Sequence, residues 1–132
     1  MRSIYMLLFL LLSSIGAIAQ SSHDQRLLES YESEYLDRLE EQSPVIYQRL
    51  NFYLDNTYQI IEKHPRKFTG PIETIKIKDL DNINIFEVQN SNKISPDYKR
   101  KLVFKIKGTN KLLLLESMEQ FNKDFNKNRQ SK

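Results

Sequence analysis

Carboxylates crowd one stretch of this 132-residue chain. Glu29, Glu32, Glu34, Asp37, Glu40 and Glu41 follow one another closely. Two carboxyl groups about 5–10 Å apart across a sugar cleft can hydrolyse a glycosidic bond. Here the acids are interleaved with Leu28, Tyr31, Tyr35 and Leu39, which recur at three- and four-residue steps. That spacing makes the acids the solvated side of a helix, with no opposing wall. The histidines offer no better chemistry. His23 stands in a polar lead-in expected to fray. His64 precedes Pro65 at a helix end, where a positive charge suits the dipole. A Ser–His–acid relay needs an imidazole held by an oriented partner, and neither position supplies one. Asp79-x-Asp81 falls far short of the roughly six to eight oxygens that Ca²⁺ takes and reads as a turn. The glycines, Gly16, Gly70 and Gly108, form no phosphate loop. With no cysteine there is no disulfide, thiol nucleophile or cysteine-bound metal. No catalytic residue, metal or cofactor is expected.

Two other groups of side chains point to recognition. Lys76, Lys78, Lys105, Lys107 and Lys111 alternate with apolar residues and can share one face of a sheet. They could take an anion or partner, or guard a sheet edge against aggregation. Val103, Leu113 and Leu115 fall on that same face as a candidate apolar contact patch. A C-terminal helix bearing Phe121 and Phe125 can cover them, or a partner can.

The elements that position these residues follow from periodicity. Asp24–Glu41 reads as a helix, and Ser43-Pro44 opens a second that runs to about Lys63. The link between them is short enough for an antiparallel helical hairpin. After Gly70-Pro71 the period becomes two. Glu73–Lys78 and Ile83–Val88 read as strands around the turn residues Asp79–Asn82, with Ile77 opposite Ile83. Arg100–Lys107 and Lys111–Ser117 form a hairpin on the loop Gly108-Thr109-Asn110. A three-residue loop sets Ile106 against Leu112, Phe104 against Leu114 and Lys107 against Lys111. Met118, Phe121 and Phe125 mark the last helix. The expected fold class is α+β: an N-terminal helical hairpin, a four-stranded antiparallel meander and a C-terminal helix, in the order αα-ββββ-α.

The chain opens like an export signal. Arg2 is followed by the apolar run Ile4–Leu12, then Ala17-Ile18-Ala19. A positive start, a short apolar run and A-x-A form a cleavable leader, too short to span a bilayer. Residues 1–19 are the expected signal peptide, cut after Ala19, and residues 20–132 one mature domain with frayed termini. No transmembrane anchor is expected after cleavage. The lack of cysteine in so small an exported domain favours a bacterial envelope, periplasm or medium, over an animal extracellular space.

Charge divides along the chain. Residues 24–62 carry nine acids and three bases; residues 63–132 carry eight and sixteen. A basic half can mark nucleic-acid binding, but an exported protein does not meet nucleic acid. The partner expected is an envelope or extracellular protein.

The leader, the paired helices, the Lys105–Leu113 hairpin (Lys-Ile-Lys-Gly-Thr-Asn-Lys-Leu-Leu) and the Asp79–Ile85 segment resemble small secreted proteins of Bacteroidota. The resemblance implies an envelope or extracellular setting and supplies no catalytic residue. The function expected from all of this is a small, exported, non-enzymatic binding or accessory protein acting on another protein. The alternative is a binder of a small ligand or anionic glycan through the basic sheet face.

Overall fold

A computed structural model describes residues 22–62 and 72–131. The expected leader, the link between the first two strands and His64 lie outside the described residues. The helices are α1 (Gln25–Ser30), α2 (Ser33–Gln42), α3 (Pro44–Asn56), α4 (Ile85–Asn92) and α5 (Met118–Gln130). The strands are β1 (Tyr58–Ile61), β2 (Glu73–Ile75), β3 (Leu102–Ile106) and β4 (Leu112–Leu115), in the sheet order β1-β4-β3-β2. The α+β class stands, but the antiparallel meander does not. β4 pairs antiparallel with β1 and β3, while β2 runs parallel to β3. The sheet is mixed.

Three elements differ from expectation for identifiable reasons. The first expected helix is two. Asp24 caps α1 by accepting from the Arg26 N–H at 2.9 Å, and α1 ends where Tyr31 turns extended. Tyr31 then stacks on Tyr35, four residues on, and sits edge-on to Phe86, a contact with distant chain that favours the break. α3 starts at Pro44 as expected, although Ser43 makes no side-chain cap bond. It stops at Asn56 instead of Lys63, and Tyr58–Ile61 becomes a strand. The second expected strand is also absent. Asn84 caps helix α4 through Oδ1, which accepts from the Phe86 and Glu87 N–H groups. Ile77 and Ile83 therefore meet in the core, not across a hairpin.

The β3–β4 hairpin is present with its register moved by one residue. Phe104 faces Leu113, Leu102 faces Leu115 and Lys105 faces Leu112. The Ile106 N–H donates to the Lys111 carbonyl at 3.1 Å, so the loop holds four residues, starting at Lys107. Gly108 takes φ +80 there, a conformation only glycine adopts freely. Thr109 closes the turn, its hydroxyl donating to the Ile106 carbonyl and accepting from the Lys111 N–H. A one-residue slip exchanges which residues share a face. Leu113 and Leu115 thereby join Phe104 and Ile106 in the core.

That core lies between the sheet and α4. It gathers Ile75, Ile83, Ile85, Val88, Phe104, Ile106, Leu113 and Leu115. A smaller cluster of Leu27, Leu36 and Leu54 binds α1, α2 and α3 together. Phe86 packs on that second cluster from α4 and stacks on Tyr53 of α3 at 5.0 Å. α5, capped by Ser117, rests on α3 through Phe121 and Phe125 against Phe52 and Tyr53. Arg49 completes this contact, its guanidinium 4.9 Å from the Phe121 ring centre.

Candidate functional site

The mixed sheet gathers four of the five lysines at one end. Ile75 pairs with Ile106, and the Lys107 N–H donates to the Ile75 carbonyl at 2.9 Å. Lys76 and Lys107 thus leave adjacent strands side by side, about 4.8 Å apart across the ladder. Lys111 opposes Ile106 on the third strand. Lys105 stands one pleat back on the outer face, between Thr74 and Leu112. Lys76, Lys105 and Lys107 are exposed and Lys111 is half-exposed. Among the described residues none of the four makes an ion pair. Lys107 does not oppose Lys111, contrary to the three-residue loop.

Lys78 goes elsewhere. Its ammonium lies 3.6 Å from Glu87 at the start of α4. Asn92 explains the parting: its amide donates to the Lys76 carbonyl and its oxygen accepts from the Lys76 N–H, at 2.8 and 2.9 Å. The chain is clamped to α4 there, just past β2.

The expected apolar patch is not a surface. Val103, Leu113 and Leu115 are 4%, 0% and 0% exposed. They also divide between faces, Leu113 and Leu115 in the core and Val103 on the opposite side of its strand. Phe121 and Phe125, the residues expected to cover them, pack on α3 instead.

His23 is the largest departure from expectation. Its side chain is 1% exposed, not frayed. Nε2 lies 2.5 Å from Asp37 Oδ1 and Nδ1 lies 2.6 Å from the Tyr47 hydroxyl. A carboxylate can only accept, so Nε2 donates to Asp37, while Nδ1 shares a hydrogen bond with the Tyr47 hydroxyl and lies 4.0 Å from Glu40 Oε2. The order Tyr–His–Asp imitates a nucleophilic relay, but its chemistry runs the wrong way. Burial pushes the Tyr47 hydroxyl above the usual tyrosine range, which weakens it as a nucleophile. The Asp37 side chain is well exposed, so water screens the charge a relay would use. The trio serves as a clasp tying the segment before α1 to the α2–α3 hairpin. Nothing at the sequence level separated His23 from a terminal tail, because its partners lie 14 and 24 residues away.

A second polar knot lies beside it. Arg26 donates to both Asp24 oxygens and both Asp55 oxygens, at 2.7–3.1 Å. The Arg26 hydrogen bond holds the Asp24 carboxyl below its ordinary range. Arg26 itself is raised by Asp55 and Asp24. All three groups are satisfied by one another, which marks the knot as structural.

Open grooves flank the helices. One of about 610 Å³ is lined by Tyr31, Phe86, Asn90 and Lys93 among others. One of about 510 Å³ lies between α3 and α5, lined by Tyr47, Asn51, Phe52 and Arg129 among others. Among the described residues no cluster of three His, Cys, Asp or Glu side chains is placed to hold a metal ion, and no helix is long and apolar enough to cross a membrane. No protein-family model, curated protein or solved structure matches the chain.

Proposed function

We propose that this chain is an exported, non-enzymatic binding protein of the bacterial envelope that holds the acidic face of a partner protein against the lysine end of its sheet. One observation carries the reading: Lys76, Lys105, Lys107 and Lys111 come together at the ends of three paired strands, and among the described residues no carboxylate pairs with them. Like charges at strand spacing repel by up to about 1 kcal/mol per pair in water. Folding stability gains nothing from that repulsion, whereas an acidic partner converts it into attraction and faster encounter. A shaped site for a small anion would gather polar groups in a cavity, and none of these lysines lines the larger cavities among the described residues. The flat, charged end suits a macromolecular surface.

The test is affinity for polyglutamate, an acidic polypeptide probe, at 50 and 300 mM salt. Binding should be measurable at low salt, fall steeply at high salt, and vanish when all four lysines become glutamine. Equal binding by the four-glutamine variant refutes the proposed surface. Preference for polygalacturonate over polyglutamate that is lost in the four-glutamine variant transfers the surface to anionic glycans. Export is tested separately, by mass spectrometry of the protein from periplasm and medium. A mature chain beginning at Gln20 supports it, and intact precursor in the cytoplasm overturns it.

A further inference from the structure

We propose a second binding site, the trough between the α1–α2 junction and the C-terminal end of α4, with an acidic oligosaccharide as its ligand. Two cavities, of about 610 and 300 Å³, share Lys93, Ile94 and Ser95 and so lie side by side along that segment. The larger has the volume of a small-ligand site. Two half-buried rings, Tyr31 and Phe86, meet edge-on at one end with centroids 6.1 Å apart. They are fixed from behind. Tyr53 stacks on Phe86 at 5.0 Å, and the Gln89 amide donates to the Tyr53 hydroxyl at 2.7 Å. Burial, reinforced by Tyr35, pushes the Tyr31 hydroxyl above the usual tyrosine range, so it stays a proton donor.

The polar side chains around these rings are uncommitted. Ser30, Asn90, Lys93 and Ser95 line the trough and form no side-chain hydrogen bond or ion pair with the described residues. Lys93 is also the one described non-glycine residue at positive φ, +54. An L-residue there is strained by its Cβ, and glycine ends a helix in this conformation without that strain. A lysine placed where glycine is favoured, with its ammonium unpaired beside two cavities, suits charge recognition.

The lining selects the ligand. A peptide anchor needs a deep apolar pocket, and this trough is open and rich in amides and hydroxyls. A pyranose presents an apolar C–H face to a ring and hydroxyls around its rim. The first matches Tyr31 and Phe86; the second matches Ser30, Asn90 and Ser95. A uronic carboxylate would pair with Lys93. The site is separate from the lysine end: it meets β2 at its first residue, Glu73, whereas Lys76 follows that strand's last residue and none of the four lysines lines either cavity.

The experiment is a titration of the isotope-labelled mature protein with trigalacturonate, followed by amide chemical shifts. Saturable shifts are expected at residues 30–31 and 86–96, unchanged when Lys76, Lys105, Lys107 and Lys111 are all glutamine. Maltotriose, neutral and of similar size, should bind more weakly. Lys93→Gln should reduce trigalacturonate affinity roughly tenfold, one charge-assisted contact. Lys93→Gly should do the same while raising the melting temperature, which separates loss of ligand contact from loss of fold. Three results overturn the site: no saturable shift, shifts abolished by the four-glutamine variant, or equal binding of maltotriose.

Discussion

The side-chain amide of Asn84 donates to the backbone carbonyl of Arg26, 3.0 Å away and 58 residues earlier in the chain. The same amide reaches Glu29 Oε2 at 2.7 Å, while the carbonyl oxygen of Asn84 caps α4. One buried side chain thus joins α1 to the first turn of α4, donating to acceptors on the first and accepting from backbone donors on the second. Asn84→Ala removes the cap and leaves the Arg26 carbonyl without its donor. A loss of about 2–3 kcal/mol is expected from the two effects, read as a lowered urea midpoint. Asn84→Asp should retain the cap yet still destabilise, because a carboxylate would face the Arg26 carbonyl and Glu29.

Phe121 is fully buried among Phe52, Tyr53, Phe125 and Arg49. Phe121→Ala should cost about 3–5 kcal/mol and release α5 from α3. Phe121→Leu, which fills more of the volume, should cost clearly less. Thermal melts followed by circular dichroism distinguish the two, and equal melting temperatures would contradict the packing described.

Thr57 is wholly buried between α3 and β1, and its hydroxyl has no hydrogen-bond partner among the described residues. An unpaired buried hydroxyl is destabilising, and a methyl of the same shape is not. Thr57→Val should therefore raise stability by about 1 kcal/mol, an unusual sign for a core substitution. A higher urea midpoint with unchanged slope is the expected result, and a lower midpoint would point to a partner for that hydroxyl.

Acid should loosen the Arg26 knot. Asp24 titrates below 3.8 in the folded protein because Arg26 hydrogen-bonds its ionised form. Its contribution is complete above that ordinary value and is lost as pH falls through the lower, folded one. Partial exposure limits the effect to under about 1 kcal/mol. Asp24→Asn should be less stable than the parent at pH 6, and the difference should close toward pH 2. A gap that stays constant over that range would assign the loss to the helix cap alone.

Removing positive charge from the sheet end should cost no stability. Lys76→Gln with Lys107→Gln takes away two neighbouring ammonium groups that pair with no carboxylate among the described residues. The melting temperature should hold or rise slightly, within about 0.5 kcal/mol, while low-salt affinity for polyglutamate falls. A large loss of stability would make these lysines structural.

The hairpin was legible because Gly108-Thr109-Asn110 lies between two runs of β-formers, and only its register slipped. Tyr58–Ile61 was ambiguous. Tyr58 and Ile61 fit the helical stripes begun at Tyr47 and Ile46, yet Tyr58 and Ile60 also fit a strand facing the core. β-Branched Thr57 and the two isoleucines were the cue for a strand. At α4 the signal was present but outweighed: Asn84 followed three residues later by Glu87 is a capping pattern, masked by the alternation of Ile83, Ile85 and Phe86. The parallel placement of β2, which creates the lysine end, had no local trace. Adjacency in a mixed sheet depends on crossovers, and neither strand records its neighbour. The trough was hidden for the same reason, since Tyr31 and Phe86 meet only after the α1–α2 break.

Among the described residues β1 has one partner, β4, which is synthesised more than fifty residues later. A nascent segment reaching only β1 has no ladder to join, and its apolar residues have no central strand to pack on. Closing so distant a contact comes late and slowly. Commitment to the native state therefore waits for the final quarter of the polypeptide, which leaves the growing chain pliable for as long as it is being made.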